Sequence, residues 1–336
     1  MSARVLIVAD DALQRHRLQQ TLETFGLRVV FSASPARYLD SSPVPGAELT
    51  LVEIQEEARH PELLEKVLSD DHPVLFNPGS VPEDGTTQRI RWERRLLRKL
   101  EAELGPLEPL DSPAAVAQLA STQPRTAAAP RRTGTAPPAS CVWVLGASLG
   151  GPAALRAFIQ HLPSGLPVAF VCVQHIDPVG EAALTQALSV RPDYPVRSPE
   201  PGQPLRCGDI LQVPVGQRMA LDAQRRLQIR EAPWPGPYAP SVDQVMLDLA
   251  EHYGNACHAI IFSGMGNDGA LAAPQLKAGG SQIWCQSQDS CVCHSMPESV
   301  AAVSPVDRSA EPATLARDLG AWINAQRGPA NAHARA

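Results

Sequence analysis

The chain has 336 residues, which is enough for about two domains of ordinary size. Hydrophobic residues make up 44% of it, a fraction typical of globular proteins that bury real cores. The formal net charge of −6 argues against nucleic-acid binding, because proteins of that class usually present a basic surface.

The first hundred residues alternate between short apolar runs and helical patterns. The runs predicted to be buried strands are residues 4–8, 27–31, 49–54 and 73–76. After the first run, residues 13–25 carry Leu18, Leu22 and Phe25 at helical spacing. The alternation of strands and helices predicts a parallel sheet covered by helices, in a first domain at residues 1–104.

The composition changes at residues 105–139, where Pro, Ala, Thr and Ser dominate and large apolar residues become scarce. A segment of this kind cannot bury a core, so it is predicted to be an extended, flexible linker. Residues 327–336 are predicted to be a disordered tail. The second domain is therefore placed at residues 140–326.

The second domain is also predicted to alternate between strands and helices. Its clearest strands are predicted at residues 141–145, 168–173 and 259–262. The loops that follow them contain Ser148, His175 and Asp268, respectively. Because ligands of open α/β sheets bind at the carboxyl ends of the strands, we expect these three side chains to converge.

A serine, a histidine and an aspartate at one site are the groups of nucleophilic acyl transfer. Ser148 lies in Gly146-x-Ser148-x-Gly150 between a strand and a helix, a pattern typical of a tight turn that exposes the hydroxyl. The histidine removes the hydroxyl proton and the carboxylate orients the imidazole. We expect the Ser148 hydroxyl within about 3.2 Å of a His175 ring nitrogen, or somewhat farther without ligand.

Other interpretations of these residues remain open at this point. The glycine-rich turn is also compatible with a structural turn or a phosphate loop, whereas a dinucleotide fingerprint fails because Ser148 replaces its second glycine. His175 is compatible with a structural histidine, and Asp268 with a capping residue in a turn. Asp177 is an alternative orienting carboxylate, although Asp177-Pro178 is more typical of a turn. Ser241 is a candidate N-cap of a helix.

The seven cysteines and the apolar segments indicate the compartment. No pair of C-x-x-C motifs is present, and the tight cluster Cys291-Val292-Cys293-His294 is interpreted as reduced thiols beside a strand rather than a metal site. No segment has the pattern of a signal peptide or the length of a membrane helix. We therefore expect a cytoplasmic location.

With these loops defined, residues 140–305 resemble the chemotaxis protein-glutamate methylesterases. The matching motifs are G-A-S-L-G-G-P at 146–152, V-Q-H at 173–175, P-S-V-D at 240–243, G-M-G-N-D-G-A at 264–270, L-K-A-G-G at 276–280 and M-P-E-S-V at 296–300. The resemblance implies a doubly wound, mostly parallel, Rossmann-like α/β catalytic domain. It implies a Ser148–His175–Asp268 triad, and an oxyanion hole that uses the Met265 backbone amide, to which we add that of Leu149.

The resemblance also implies a reaction and its partners. These are hydrolysis of glutamyl methyl esters on the cytoplasmic helices of methyl-accepting chemoreceptors, and deamidation of certain glutamines, with no cofactor and no metal in the catalytic domain. The protein would be peripheral to membrane receptors, not inserted, and a chemosensory histidine kinase is a candidate partner. There are two alternatives. One is a catalytically inactive adaptor that binds methylated receptors, and the other is a hydrolase of small esters.

The chain departs from the family pattern at several positions. Leu149 replaces a threonine beside the nucleophile, and Arg218 stands where a histidine is common. The segment at residues 285–294 differs from the acidic and serine-rich stretch that is usual there. These changes leave the triad intact but affect the expected rate and substrate choice, so Arg218, Ser241 and Asp243 are retained as weak candidates for substrate binding.

The first domain resembles a response-regulator receiver, a smaller flavodoxin-like domain, in degenerate form. Asp10 and Asp11 match its acidic pair, for which magnesium binding and a simple turn are both open interpretations. Glu53 occupies the position of the phosphoacceptor aspartate, and the lysine of the fifth strand has no clear counterpart. The resemblance therefore predicts a receiver-like domain that is not phosphorylated.

Overall fold

The computed structural model divides the chain into two units, Met1–Leu110 and Asp111–Ala336. The residues it describes are 3–42, 44–54, 60–77, 80–82, 87–105, 107, 113–121 and 136–327. Within these ranges, none of the helices combines the length and the apolar character needed to cross a membrane. The predicted tail lies outside the described residues except for residue 327, and so does most of the predicted linker.

The first unit contains a parallel sheet and the helices that connect its strands. Its strands are β1 (Arg4–Ala9), β2 (Arg28–Ala33), β3 (Leu49–Glu53) and β4 (Val74–Phe76). Its helices are α1 (Ala12–Thr24), α2 (Pro35–Leu39), α3 (Pro61–Leu68) and α4 (Thr87–Leu104). The strand order is β2-β1-β3-β4 with every pairing parallel, which is the flavodoxin-like order over these four strands.

The predicted elements of the first unit are confirmed with small shifts at their ends. The stripe of Leu18, Leu22 and Phe25 is buried, so the helical spacing correctly identified the face of α1 and the residue after it that pack inward. Asp11 caps the first turn of α1 by accepting a hydrogen bond from the N–H of Gln14 (2.9 Å).

The second unit is larger and contains two sheets. Its strands are β5 (Val142–Ala147), β6 (Ala169–Gln174), β7 (Val196–Arg197), β8 (Ile210–Gln212), β9 (Arg218–Leu221), β10 (Leu227–Arg230), β11 (Cys257–Ile261), β12 (Ile283–Gln286) and β13 (Arg308–Ala310). Its helices are α5 (Pro113–Ser121), α6 (Gly151–His161), α7 (Glu181–Leu188), α8 (Val242–Tyr253), α9 (Ala273–Ala278), α10 (Ser295–Val303) and α11 (Pro312–Arg327). Strands β9 and β10 form a separate antiparallel hairpin.

Seven strands of this unit form one parallel sheet in the order β13-β12-β11-β5-β6-β8-β7. The chain builds outward from β5 to one side through β6 and β8, and later to the other side through β11 and β12. The order therefore reverses next to β5, and such a switch point is where open α/β sheets bind their ligands. The loops of the three adjacent strands β11, β5 and β6 meet there.

Helices cover both faces of the large sheet. Trp143 and Leu145 pack with residues of α6, α7 and α11, whereas Val142 and Val144 pack with residues of α8, α9 and α10, because successive side chains of a strand point to opposite faces. All of β5 is buried, as expected for a central parallel strand. The predicted doubly wound α/β architecture is confirmed.

The prediction of an extended linker is wrong at residues 113–121, which form α5. Val116 and Ala120 are buried, and they share a core cluster with residues of α6 and α7. The Arg156 guanidinium donates a hydrogen bond to the carbonyl of Leu119. The apolar positions of α5 recur at helical spacing. Because most of its residues are small, the composition of the segment did not indicate a buried face.

A buried histidine in the core of the second unit makes its stability depend on pH. His258 packs against the rings of Trp143 (4.7 Å between centroids) and Trp322 (5.0 Å), and its Nδ1 accepts a hydrogen bond from the N–H of Gln282 (3.1 Å). Burial lowers the pKa of His258 to about 4, and the charge of Asp307 opposes this only in part. The unfolded chain therefore binds a proton between about pH 6.5 and pH 4 that the folded chain does not.

We expect the free energy of unfolding to fall as the pH drops through that window. Between pH 7.5 and pH 5, His258 should account for a loss of about 2 kcal/mol. His258→Gln keeps an acceptor for the Gln282 amide but cannot take up a proton. Urea unfolding followed by tryptophan fluorescence should show a smaller acid loss in this variant, and equal losses in both proteins would contradict the prediction.

Candidate active site

Ser148 lies directly after β5, at the turn that leads into α6. Its N–H donates to the carbonyl of Ser263 (3.0 Å), and its carbonyl accepts from the N–H of Gly151 (2.8 Å). Gly150 has a φ of +79°, and a Cβ there would lie 2.6 Å from Val292 Cβ, so the turn requires glycine. Ser148 is 9% exposed, and its hydroxyl makes no hydrogen bond within the described ranges. The expected tight turn is present, and it leaves the hydroxyl unengaged.

His175 lies directly after β6, beside the nucleophile turn. Its N–H donates to the carbonyl of Ala147 (3.0 Å), and its ring Nε2 is 2.8 Å from Asp268 Oδ2. The ring stacks on Tyr238, with 4.9 Å between centroids and 8° between planes. Because an ionised carboxylate only accepts hydrogen bonds, the proton is on Nε2 and the lone pair on Nδ1. Nδ1 is therefore the nitrogen available to act as a base.

The expected hydrogen bond between the Ser148 hydroxyl and the His175 ring is not formed in this structure. The ring is fixed by Asp268 and Tyr238, and neither contact involves the serine. Hydrogen bonds between nucleophile and base are often long before substrate binds. The sequence correctly placed both residues directly after strands, which the structure pairs as β5 and β6, but it could not indicate whether the two side chains bond each other before substrate binds.

Asp268 is fully buried below His175, and the N terminus of α8 surrounds its carboxylate with donors. Val242 N–H donates to Oδ2 (2.6 Å), Asp243 N–H donates to Oδ1 (2.9 Å), and the Ser241 hydroxyl donates to Oδ1 (3.3 Å). Burial raises the pKa of Asp268, but the hydrogen bond from His175, the His175 charge and the α8 amides outweigh it, and the pKa is lowered. Asp268 is therefore ionised and fixed in place.

The three residues predicted as weak substrate contacts are all engaged with the protein. Ser241 is the N-cap of α8, as the second interpretation predicted, and it also supports Asp268. The Asp243 carboxylate accepts from the N–H of Ala272 (2.8 Å), and Arg218 pairs with Asp248 (3.0 Å). The sequence did not distinguish a residue that contacts substrate from one that positions another side chain, and both Ser241 and Asp243 donate hydrogen bonds to Asp268.

Asp243 is expected to lower the stability of the protein at neutral pH, first because it is buried and second because Asp268 is close to it. Burial, and then the charge of Asp268, raise the pKa of Asp243 to about 6. A raised carboxyl pKa means that the folded chain holds its proton more tightly than the unfolded chain, so the free energy of unfolding falls as the pH rises from about 4 to about 6, and the loss is fully present above pH 6.

Asp243→Asn should therefore increase the free energy of unfolding at pH 7.5 by about 1 kcal/mol, after allowance for its partial exposure. The asparagine oxygen still accepts from Ala272. Urea denaturation should show no gain at pH 4, where Asp243 is already protonated. A gain of equal size at both pH values would contradict this electrostatic explanation.

The predicted oxyanion hole uses the backbone amides of Met265 and Leu149. A Cβ at Gly264 would lie 2.9 Å from both Ser148 N and Ser148 Cβ, so this loop passes directly beside the nucleophile. The N–H groups of Met265 and Leu149 donate to no residue in the described part of the chain. The oxyanion hole that these two amides would form stays a prediction.

Tyr238 is a site residue that the sequence analysis missed. Besides stacking on His175, its hydroxyl donates to Asn267 Oδ1 (2.9 Å) and accepts from the N–H of Asn267 (3.1 Å). It thus connects the histidine to the glycine-rich loop that carries Asp268. It lies in an irregular stretch of prolines and glycines without periodicity, so no sequence signal identified it.

Two other predicted candidates do not contact the Ser148, His175 or Asp268 side chains in the described residues. The Asp177 carboxylate accepts from the N–H of Val179 (2.9 Å) and caps a short turn, so Asp268 is the carboxylate that contacts His175. Burial raises the pKa of Cys291 to about 12, so its thiol stays protonated. No group of three or more His, Cys, Asp or Glu side chains in the described residues is arranged to hold a metal ion.

The acidic residues of the first unit have separate contacts. Glu53 is buried at the end of β3 and accepts a hydrogen bond from Asn77 Nδ2 (3.0 Å). Asp11 caps α1, and Asp10 lies 3.5 Å from His60 Nε2. The N-cap contact of Asp11 with α1 agrees with the interpretation of this residue as part of a turn.

Known proteins match the second unit. Residues 143–319, just over half of the chain, match the family described as CheB methylesterase. Similar relatives named protein-glutamate methylesterase/protein-glutamine glutaminase come from Vibrio parahaemolyticus (34% identical, covering 50% of this chain and 48% of the relative) and Pseudomonas aeruginosa (35%, covering 48% and 44%). The chain spans about half the length of the curated relatives it matches.

A solved structure has the same fold. The CheB methylesterase catalytic domain of Thermotoga maritima superposes with a TM-score of 0.51 at 27% sequence identity. The match covers 55% of this chain and 98% of that domain. Sequence and fold therefore agree on the same half of the chain.

Proposed function

The chain belongs to the CheB methylesterase family, and on that basis we propose that its second unit hydrolyses glutamyl methyl esters of methyl-accepting chemoreceptors and releases methanol. The observation that carries the proposal is the site at the ends of β11, β5 and β6. There an ionised Asp268 fixes the His175 proton on Nε2, and the Ser148 hydroxyl, after the neighbouring strand, makes no hydrogen bond with the described residues.

The proposed reaction has two halves. Ser148 Oγ attacks the ester carbonyl while His175 Nδ1 takes the hydroxyl proton, and the resulting oxyanion accepts hydrogen bonds from the Met265 and Leu149 amides. Collapse of the tetrahedral intermediate breaks the bond to the methoxy oxygen, which takes the proton from His175 and leaves as methanol. A water molecule then attacks the acyl-serine, with His175 again as base, and restores the free carboxylate and Ser148.

Asp268 contributes by holding the imidazole and stabilising its positive charge during both halves. The names of the relatives also support deamidation of glutamine at the same site, since an amide carbonyl is attacked in the same way. That reaction requires His175 to protonate the departing ammonia. No step requires a metal or an organic cofactor.

The partners and the location follow from this substrate. We propose that the protein acts in the cytoplasm on the cytoplasmic helices of the receptors, in a pathway with a chemosensory histidine kinase. It would associate with the membrane through the receptors alone. We propose no nucleic-acid partner.

For the first unit we propose a receiver-like domain, at residues 1–104, that is not phosphorylated. Glu53 replaces the acceptor aspartate and already bonds Asn77. The lysines of this unit donate to main-chain carbonyls: Lys66 to Tyr38, Leu39 and Ser41, and Lys99 to Phe76. Incubation with a phosphorylated kinase should give no stable label on the chain, and labelling would contradict the proposal.

The test of the esterase is methanol release from receptor membranes carrying radiolabelled methyl esters, with the Ser148→Ala chain as the blank. Release by the wild type alone supports the proposal. Binding to the membranes without release identifies an adaptor. Turnover of small esters without release from receptors identifies a small-ester hydrolase.

A further inference from the structure

Three strands of the large parallel sheet end in a buried glutamine. These are Gln174 at the end of β6, Gln212 at the end of β8 and Gln286 at the end of β12, and all three are at most 5% exposed. All three lie at the carboxyl edge of the sheet, where the loops of the active site begin. A buried amide needs hydrogen-bond partners, so the partners identify which loops each glutamine joins.

Gln174 joins the loops of the nucleophile and the base. Its Nε2 donates to the carbonyl of Ser148 (2.8 Å) and to the carbonyl of His175 (2.9 Å). The strands beneath are already paired, with Ala147 opposite Gln174. The side-chain amide of Gln174 thus connects the main chain of Ser148 to that of His175 beyond the last paired residues of β5 and β6.

The orientation of this amide is fixed by its surroundings. Only the NH2 group can serve two carbonyl acceptors, so Oε1 points the other way. Oε1 is buried without a partner in the described residues, and it lies beside Gly151, where a Cβ would come within 2.1 Å of it. A buried oxygen without a hydrogen bond lowers the free energy of unfolding. Any advantage of a glutamine at this position must therefore come from the two hydrogen bonds of its NH2 group.

We propose that Gln174 is a positioning residue that holds the main chain of Ser148 and of His175 at a fixed separation. The inference rests on the proposed function, because it assumes that these two residues react together. Errors of about 1 Å in the position of reacting groups lower rates by about a hundredfold. Without the amide bridge, the hydrogen bonds between the two segments in the described residues are those of the strand ladder and the bond from His175 N–H to the carbonyl of Ala147.

Gln212 provides a matched control in the same sheet. Its Nε2 donates to the carbonyl of Glu181 (3.0 Å), and its Oε1 accepts from the Thr185 hydroxyl (2.8 Å). It is as buried as Gln174 and also forms two internal hydrogen bonds, but neither bond involves Ser148, His175 or Asp268. Its loss should affect folding in the same way without moving the site.

The test compares Gln174→Met with Gln212→Met in the full chain, because methionine keeps the volume and removes both hydrogen bonds. For methanol release, Gln174→Met should lower kcat by about 10- to 100-fold and change KM less than threefold. Gln212→Met should leave both constants within about threefold. The thermal midpoints of the two variants show how far each is destabilised. Equal losses of kcat at equal destabilisation would show that Gln174 only stabilises the fold, and would overturn the proposal.

A second measurement is independent of activity. Amide hydrogen exchange at residues 147–151 should be faster in Gln174→Met than in the wild type, and unchanged in Gln212→Met. Unchanged exchange in both variants overturns the positioning role. If the wild type releases no methanol but exchange responds as expected, the proposed function fails while the mechanical role of Gln174 stands. If Gln174→Met does not fold, Gln174→Glu is measured in the same way.

Discussion

Ser148→Ala is expected to lower kcat for methanol release by about 10⁵-fold or more, the largest effect of any single substitution in the chain. Without the hydroxyl no acyl-enzyme forms, and only the slow attack of water assisted by the remaining groups is left. The Ser148 hydroxyl makes no hydrogen bond with the described residues, so its removal leaves no partner unsatisfied. The free energy of unfolding should therefore change by less than about 0.5 kcal/mol.

This combination of results separates a nucleophile from a structural serine. Ser189→Ala is a suitable control, because the Ser189 hydroxyl donates to the Thr185 carbonyl at the end of α7, away from the site. It should retain full activity. Activity in Ser148→Ala above about one thousandth of the wild-type rate would mean that another group attacks the ester, and the proposed mechanism would be wrong.

Asp268→Asn is expected to lower kcat by about 10⁴-fold and also to destabilise the protein. The carboxylate receives four donors, from Ser241, Val242, Asp243 and His175. An asparagine replaces one acceptor oxygen by an NH2 group that faces a donor. The loss in the free energy of unfolding should be roughly 3 kcal/mol. Steady-state kinetics and urea unfolding of the same preparation measure the two effects.

The pH dependence gives this prediction a second check. Because the pKa of Asp268 is lowered in the folded chain, its contribution is fully present above the ordinary carboxyl pKa and is lost as the pH falls through the folded value. The stability difference between wild type and Asp268→Asn should thus persist from pH 8 to pH 5 and shrink below about pH 4.

A second aspartate serves as a control for the loss of one negative charge. Asp318→Asn breaks an exposed pair with Arg308 and should change stability by less than about 1 kcal/mol and leave kcat unaltered. If Asp268→Asn behaved like this control, Asp268 would not orient the base.

The sequence predicted those site residues whose positions depend on residues close to them in the chain. Ser148 and His175 follow apolar runs directly, so their place at strand ends could be predicted from periodicity alone. Ser241 was predictable as an N-cap because capping depends on residues only three positions apart. Gln174 ends a run of apolar residues, and a polar residue at that position is a sequence signal of a side chain at a strand end.

Other features depend on contacts between distant residues. Nothing in the sequence places β11 beside β5, although this pairing brings Asp268 to His175 across 93 positions. The stacking of Tyr238 on His175 and the choice of Nε2 as the partner of Asp268 are likewise set by packing. Helix α5 was missed because small residues form its buried stripe, and packing against α6 and α7 stabilises it.

The proposed use of Nδ1 as the base has a consequence for how such a site can be built. Nδ1 is bonded to the ring carbon that joins the side chain, so it extends a shorter distance from the main chain than Nε2 does. A base with such limited reach works only if its backbone lies next to that of the nucleophile. Here His175 N–H bonds the carbonyl of Ala147, the residue before Ser148, and this adjacency meets the requirement. In the proposed mechanism the base therefore belongs on a strand that directly neighbours β5, and on a more distant loop its reactive nitrogen would be out of range.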